Sequence, residues 1–375
     1  MIFPCVAALV FTLATLVPVC VASMVLLLLK RPQRRFWRIS LWLHAALFLL
    51  HLVVTFPLAL GLLGSRGLGT RPDERRYEGP RLGADGKLLL QSRDSLKGEA
   101  QGDSAVGSEI LAAARARART IASSQGVVLR AFRIEPLREP PVAAVVLVHG
   151  LFRGAMELEP VAAMLRERGC ECWLLELRNH GGSSRAPFTG GLRESDDVVA
   201  AVEYVRAQPG RADTPVVLYG ISLGTAAVSL ALPRLQGIAG LVLDAPIDDL
   251  QAAAHRMLSF QRGGDRRSWF AMVEPWRSLV LEALGAWSGF QVKDVAPGEV
   301  LANLPHDLPV LLISAGEDDR VPPATVEQLF ARLPMPDEKK ELWIAAGAHH
   351  GEVSAKEPAA YADALARLLA RLRLP

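Results

Sequence analysis

The sequence predicts an α/β fold, a mostly parallel sheet with helices on both faces, preceded by two apolar segments. Short apolar runs alternate with helical patterns from residue 127 to the end of the chain, which is typical of parallel strands joined by crossover helices. One of these strands passes through Gly220-Ile221-Ser222-Leu223-Gly224 directly into an alanine-rich helix. Two runs without a charged residue, 2–29 and 39–63, stand ahead of this region.

Strands are predicted at 127–134, 143–148, 171–177, from 216 into the Gly-x-Ser-x-Gly turn, and at 238–243, 309–315 and 341–345. The run 143–148 is apolar without interruption, as expected of a strand that is buried on both faces. Helical patterns extend to 168, over 195–208, after Ser222 and over about 358–372. Between about 250 and 305 the alternation stops, which predicts an insert in the domain.

The N-terminal region predicts a transmembrane helical hairpin over residues 1–64. Each apolar run is long enough to cross a bilayer core as a helix, and a basic cluster that includes Lys30 and Arg38 lies between them. By the positive-inside rule this short loop is cytoplasmic, so we expect the rest of the chain on the non-cytoplasmic side of the membrane. Residues 65–125 predict a linker with one helix over 109–121, and the α/β domain then spans 126–375.

Ser222 stands at a strand-to-helix turn between Gly220 and Gly224. Such a turn needs small residues beside its apex, because the backbone takes strained angles and the following helix packs closely. The Ser222 hydroxyl is therefore predicted to project above the edge of the sheet. A serine hydroxyl becomes a nucleophile when a base accepts its proton, and an acid must orient that base. Acids at 317–319 and histidines at 349–350 follow later in the chain.

Five segments in order resemble the successive motifs of the α/β-hydrolase superfamily: VVLVHGLFRG, LLELRNHGGSS, VVLYGISLGTAA, PVLLISAGEDDRVPP and WIAAGAHHGE. The resemblance covers about residues 127–375 and implies the α/β-hydrolase fold, with the insert as a helical lid. In this superfamily the chain order is nucleophile, acid, histidine, and Ser222 is followed by the acids and histidines in that order.

The resemblance implies the catalytic residues by position. Asp319 matches the acid counted from Gly316, and Asp318 is the alternative, which could instead cap the turn. His350 matches the histidine counted from Gly347, and its neighbour His349 is the alternative. Asp244 follows the strand after the turn, where some relatives carry the acid, and ranks below the pair at 318–319.

Two backbone N–H groups are expected to form an oxyanion hole, which stabilises the negative charge that develops on the carbonyl oxygen. The resemblance assigns them to Leu223, directly after the nucleophile, and to Leu151, with Phe152 as the alternative. His149 is read as a support of the oxyanion loop, and His180 as a support of its own turn.

These observations predict a membrane-anchored serine hydrolase of carboxylic esters, especially lipid-like or other apolar acyl esters. The alternatives are a peptidase of the prolyl-oligopeptidase type, a thioesterase or acyltransferase, and an inactive hydrolase fold that serves as a binding module. No metal or organic cofactor is implied, and Cys170 and Cys172 are expected to be free thiols. The net charge of +3 gives no support for a nucleic-acid partner.

Overall fold

An eight-stranded sheet organises the part of the chain that the structure describes. The computed structural model describes residues 118–259 and 274–372, the helix Phe56–Gly67 (α1) with Leu68, and isolated pieces elsewhere ahead of residue 118. The strands are β1 Arg119–Ala122, β2 Val128–Ile134, β3 Ala144–Val148, β4 Glu171–Glu176, β5 Val216–Ile221, β6 Ile238–Asp244, β7 Val310–Ala315 and β8 Lys340–Ala345. A separate two-residue pair, Arg81–Leu82 with Leu88–Leu89, is antiparallel.

The strands lie in the order β1-β2-β4-β3-β5-β6-β7-β8. The pairs β1·β2 and β2·β4 are antiparallel, and every other pair in the sheet is parallel. The predicted mostly parallel sheet is therefore confirmed. In such a sheet the carboxyl ends of the parallel strands meet at one edge, and the loops that follow them are where ligands bind.

Strand β5 shows why the sheet is buried on both faces. All of its residues are buried, and they alternate between two apolar clusters, one on each face of the sheet. Val216 and Leu218 belong to the first cluster, and Val217 and Tyr219 to the second. Strands β3, β4 and β7 are buried along their whole length in the same way. A strand with helices on both sides needs such a continuous run.

The remaining helices are α2 Glu159–Glu167, α3 Glu194–Arg206, α4 Leu223–Ala231, α5 Leu250–Met257, α6 Trp276–Ser288, α7 Pro297–Leu301, α8 Pro323–Arg332, α9 Val353–Lys356 and α10 Pro358–Ala370. Helices α3, α4 and α8 cover one face of the sheet, through residues such as Val202 and Leu329. Helices α2 and α10 cover the other face, through Leu165 and Leu365. The prediction of helices on both faces is confirmed.

The sheet begins earlier than the sequence indicated. The prediction of a helix over 109–121 is wrong for the residues of that range that the structure describes. Arg119–Ala122 forms the edge strand β1. Ile121 is buried, and the strand pairs antiparallel with β2. This tertiary pairing overrides the helical preference of a segment rich in alanine and arginine. The domain boundary therefore precedes residue 126, and residues 109–117 lie outside the described residues.

The insert between β6 and β7 is helical in its described parts, which include α5, α6 and α7. Phe290 packs with Leu250 and Leu281 in a small core that belongs to the insert itself. Trp287 is half exposed. Trp276, the first residue of α6, is half-buried. Four further large apolar residues of the insert lie outside the described residues, namely Phe260, Trp269, Phe270 and Met272.

Helix α1 packs against α6 of the insert. Gly61 approaches Ala283 so closely that a methyl group on residue 61 would lie 2.5 Å from the Ala283 Cβ. Helix α1 includes the end of the second predicted span, 39–63, and continues to Gly67. The first span, 2–29, and the rest of the second lie outside the described residues except at single positions. Within the described residues, no helix is both long enough and apolar enough to cross a bilayer.

Candidate active site

Ser222 forms the apex of the turn between β5 and α4. Its φ of 53° and ψ of −117° belong to a region that L-residues rarely adopt. The Ser222 N–H donates to the Asp244 carbonyl oxygen at 2.9 Å, and the Thr225 N–H donates to the Ser222 carbonyl oxygen at 2.9 Å. A methyl group on Gly224 would collide with the Val148 carbonyl oxygen. Glycine is therefore required where α4 crosses the end of β3.

A continuous hydrogen-bonded chain runs from Ser222 through His350 to Asp318. The Ser222 Oγ lies 2.9 Å from the His350 Nε2. The His350 Nδ1 lies 2.6 Å from the Asp318 Oδ2. The Asp318 side chain is fully buried and that of His350 is 10% exposed, so both bonds are shielded from water. This arrangement suits a base that accepts the serine proton while a carboxylate fixes its ring.

The acid in this chain is Asp318, and the preference for Asp319 is corrected. The Asp318 Oδ1 accepts the backbone N–H groups of Arg320 at 2.8 Å and Val321 at 2.9 Å, and its Oδ2 accepts from His350. One carboxylate thus caps the turn and orients the imidazole. Asp319, the next residue, is half-buried, and the structure gives it no hydrogen bond to His350.

His349 lies outside this chain. Its Nδ1 is 3.1 Å from the Glu317 carbonyl oxygen, its Nε2 is 3.5 Å from the Glu317 Oε2, and its side chain is 40% exposed. Of the two adjacent histidines, the structure therefore brings His350 to Ser222.

The predicted oxyanion residues adjoin Ser222. Leu223 is the first residue of α4, where backbone N–H groups lack a partner within the helix. Leu151 lines the cavity that also contains Ser222 and His350. Phe152, the alternative, has a φ of 62° and is 47% exposed. The assignment of the oxyanion donors stays a prediction.

The buried His149 and the part-buried Glu157 hold the loop at Gly150 in place. The Leu177 N–H donates to the His149 Nε2 at 3.2 Å, so the His149 Nδ1 carries the proton and donates to the Gly150 carbonyl oxygen at 2.8 Å. Burial, with the neighbouring His180, lowers the pKa of His149 to about 3, so the ring is neutral. The Gly150 N–H donates to the Glu157 Oε2 at 2.7 Å.

Carboxyl groups other than Asp318 surround the site. Burial raises the pKa of Glu157, against the lowering effect of Arg153 and the Gly150 N–H. Asp244 is fully buried at the end of β6, and its Oδ2 accepts the Tyr361 hydroxyl at 2.8 Å. Burial raises the pKa of Asp244 to about 7.

The cavity beside Ser222 is small, at about 70 Å³, and its lining is largely apolar. Its residues are Gly150, Leu151, Phe152, Arg153, Glu157, Ile221, Ser222, Ile247, Ala253, Met257, Arg320, Val321, His350 and Gly351. A larger surface depression of about 880 Å³ lies at the opposite edge of the sheet, near Asp213 and Gln236. It includes none of the predicted site residues.

The Arg178-Asn179-His180-Gly181 turn after β4 has a structural role beside the cavity. Arg178 is buried and pairs with Asp197 on α3, with Nη2 to Oδ1 at 2.7 Å. The His180 Nδ1 lies 2.9 Å from the Arg178 carbonyl oxygen, in accord with the prediction of a loop support. The Asn179 Nδ2 donates to the Leu68 carbonyl oxygen at 2.6 Å, so this turn also holds the end of α1.

Three features of the site were not found from the sequence: Glu157 beneath Gly150, the Asp244–Tyr361 pair, and Leu68 near the oxyanion loop. Residue spacing did not identify which of Asp318 and Asp319 pairs with His350. The hydrogen bonds of the structure identify Asp318. Cys170 and Cys172 are buried free thiols, as predicted, and burial raises the pKa of Cys170 to about 12. No cluster of side chains suited to a metal ion occurs among the described residues.

The sequence has curated relatives that share its central region. The uncharacterized protein YfhR of Salmonella typhimurium is 24% identical over 242 residues, which are 62% of this chain and 72% of that protein. The alpha/beta hydrolase domain-containing protein WAV2 of Arabidopsis thaliana is 25% identical over 179 residues, or 48% of this chain and 53% of that protein.

Solved structures share the fold at low sequence identity. The esterase Pf2001 of Pyrococcus furiosus aligns with a TM-score of 0.55 at 20% identity, over 68% of this chain and 90% of that one. Est1E from Butyrivibrio proteoclasticus, with bound ferulic acid, has a TM-score of 0.50 at 17% identity, over 67% of this chain and all of its own. The profile of the alpha/beta hydrolase family matches residues 145–364, more than half of the sequence. The chain therefore belongs to the alpha/beta hydrolase family.

Proposed function

We propose that this protein is a serine hydrolase of carboxylic esters, with Ser222 as nucleophile, His350 as general base and acid, and Asp318 as the residue that orients His350. The observation that carries the proposal is the continuous chain of two hydrogen bonds, 2.9 Å from Ser222 to His350 and 2.6 Å from His350 to Asp318. Its three members follow β5, β8 and β7, so one edge of the sheet brings them together.

The reaction proceeds through an acyl-enzyme. The Ser222 Oγ attacks the ester carbonyl carbon while the His350 Nε2 takes its proton, and the Leu151 and Leu223 N–H groups stabilise the oxyanion. The tetrahedral intermediate collapses, the C–O bond to the alcohol breaks, and His350 returns the proton to the departing alkoxide. Water, activated by His350, then attacks the acyl-enzyme and releases the acid. Asp318 keeps the Nδ1 proton in place throughout.

Lipid-like or other apolar esters are the proposed substrate class. The apolar cavity lining supports this, including Ile247, Ala253 and Met257. The fold similarity to esterases such as Pf2001 adds support at the level of reaction type. A peptidase, a thioesterase or an acyltransferase would use the same three residues, and comparing kcat/KM for matched ester, thioester and amide substrates separates them. A binding module would turn over none of these.

The proposal includes a membrane anchor formed by the two apolar runs, 2–29 and 39–63, with the catalytic domain on the non-cytoplasmic side. The end of the second run, from Phe56, lies in α1 and packs on α6. Its support is the lack of charge in both runs and the basic loop between them. An anchor would hold the site near lipid-like substrates. An alkaline phosphatase fusion after Ser65 should be active, since that reporter works only when exported. A silent fusion that is expressed in full would contradict the outward orientation.

Labelling with a fluorophosphonate probe tests the hydrolase assignment, because such probes react with activated serines without requiring a known substrate. We expect the full-length protein to be labelled and the Ser222→Ala variant to be unlabelled. Ser229, a buried serine on the same helix, offers a matched control, and Ser229→Ala should keep the label. A folded wild-type protein that neither reacts nor hydrolyses esters would contradict the proposal and favour the binding module.

A further inference from the structure

The position of His350 indicates on which side of β5 the alcohol part of a bound ester lies, and on which side its acyl part lies. Strands β6, β7 and β8 lie on one side of β5, and β3 and β4 lie on the other. His350 follows β8, and its Nε2 must reach the departing alkoxide. The alcohol part of the ester therefore occupies the side of β6–β8. With the carbonyl oxygen at the proposed Leu151 and Leu223 N–H groups, the side left for the acyl part is that of the loops that follow β3 and β4.

An apolar cluster, which we name the acyl wall, closes the site in that direction. It consists of Leu68, Leu151, Phe188, Leu223 and Leu284. Leu223 follows the nucleophile directly, and Leu151 lines the cavity at Ser222. Phe188, Leu223 and Leu284 are 5%, 2% and 9% exposed, so they pack against one another and leave no open channel among them.

The outer part of the acyl wall comes from α1 and α6 and not from the loops of the sheet. Leu68 follows α1, and Leu284 lies on α6. The close contact of Gly61 with Ala283 joins the two helices, and the Asn179 Nδ2 bond to the Leu68 carbonyl oxygen at 2.6 Å fixes the end of α1 at the site. A segment that precedes the catalytic domain thus supplies part of the substrate boundary.

The acyl wall leaves only a small cavity beside Ser222. The cavity of about 70 Å³ is far below the roughly 300–1,000 Å³ of common ligand pockets. Most of its apolar lining lies on the alcohol side, where Ala253 and Met257 of α5 meet Val321 after β7. On the acyl side, Leu151 is the member of the acyl wall that lines the cavity. Leu68 and Leu284 belong to the same packed cluster and do not line the cavity themselves, so this side leaves room for an acyl group of only a few heavy atoms.

We propose that the acyl wall is an end stop that restricts the enzyme to short acyl groups, and that Leu68 and Leu284 set the limit. The substrate class is then esters of short carboxylic acids with larger, apolar alcohols. This inference rests on the proposed ester hydrolysis at Ser222 and specifies its substrate.

Acyl-chain selectivity of the full-length protein tests the end stop. The measurement is kcat/KM for p-nitrophenyl acetate, butyrate and octanoate, which keep one bulky alcohol and lengthen the acyl group. We expect wild type to prefer acetate or butyrate. Leu68→Ala and Leu284→Ala should each raise the octanoate-to-acetate ratio by roughly 10-fold, the order of effect that methylene-sized changes in an apolar site produce.

Two further variants make the test specific. Gly61→Leu cannot pack against Ala283, so it should undock α1 and shift the ratio in the same direction. Leu58→Ala, at a position on α1 that is 43% exposed, is the control and should leave the ratio unchanged. If circular dichroism shows that Leu68→Ala or Leu284→Ala does not fold, Gly61→Leu provides the same measurement of the octanoate-to-acetate ratio.

The two proposals fail in different ways. If the fluorophosphonate probe does not label Ser222 in the wild-type protein, the hydrolase assignment is contradicted. Intact labelling together with a wild-type preference for octanoate would overturn the end stop alone. An octanoate-to-acetate ratio that stays constant in all three folded variants would also overturn it.

Discussion

The two sides of β5 differ in how they are built. After β7 and β8, polar side chains meet through short hydrogen bonds, with Asp318 and His350 buried at the centre. After β3 and β4, apolar side chains from distant segments pack together, and one of them, Leu68, precedes the sheet altogether. In our proposals, the first side transfers protons and the second side limits the length of the acyl group.

The two proposed functions therefore depend on different features of the chain. A proton-transfer chain needs specific atoms within about 3 Å of each other, so it depends on single residues at the ends of strands. A steric boundary needs only filled volume, so several apolar residues share it and each can be replaced by another of similar size. We therefore expect large, all-or-none effects on the first side and graded effects on the second.

The largest expected effect separates the two adjacent acids. Asp318→Asn removes the negative charge beside the His350 Nδ1 and should lower kcat for ester hydrolysis by roughly 10³–10⁴-fold, because the imidazole loses its orienting partner. Asp319→Asn is the matched control and should change kcat by no more than about 3-fold, since the carboxylate that bonds to His350 is that of Asp318 and substitutions away from such contacts have small effects. Steady-state kinetics on p-nitrophenyl acetate provide both values.

A result in which Asp319→Asn is the damaging change, with Asp318→Asn near wild type, would contradict the observed geometry. Circular dichroism on both variants shows whether either loss comes from misfolding. This control is needed because the Asp318 Oδ1 also accepts two backbone N–H groups in the turn.

The polar side of the site was largely predictable from the sequence. Ser222 was predicted from the glycines on either side of its turn, and His350 from the resemblance to the α/β-hydrolase motifs, with His349 as the alternative. The choice between Asp318 and Asp319 did not, because spacing counted from Gly316 carries no information on which side chain faces the next loop. The alternation of strands and helices predicted the sheet, except for β1, whose four residues lie in an arginine- and alanine-rich segment.

The apolar side was not predictable. Residues 56–63 of α1 are apolar and are predicted to be the end of a membrane span, and nothing local to Gly61 indicates that Ala283 packs on it. Leu68, Phe188 and Leu284 are far apart in the chain, and each is a common apolar residue. Their meeting depends on tertiary packing, which a single sequence does not reveal.

A smaller effect is expected on the pH dependence of stability, from Asp244. This residue is buried and takes no part in the hydrogen-bonded chain from Ser222 to Asp318. Its pKa rises from an ordinary 3.8 to about 7 in the folded protein. Between these values the folded state binds more protons than the unfolded state, so the free energy of unfolding falls as the pH rises. The group contributes at most about 4 kcal/mol to this fall.

Urea unfolding at pH 5 and pH 8 measures this dependence. Asp244→Asn cannot ionise, so it should lose less stability than wild type between the two pH values. Asp337→Asn, whose side chain is 98% exposed, is the control and should keep the wild-type dependence. Equal pH dependence in wild type and Asp244→Asn would show that Asp244 is already ionised at pH 5.

Trapping the acyl-enzyme would identify Ser222 as the nucleophile by a covalent mark. The wild-type protein is mixed with p-nitrophenyl acetate, whose good leaving group makes deacylation the slower step, and is quenched in acid during turnover. Peptide mass spectrometry should find one acetyl group on the peptide that contains Ser222, and none on that peptide in Ser222→Ala. Rapid p-nitrophenol release with no acetyl group at Ser222, or with the acetyl group on another residue, would contradict the account.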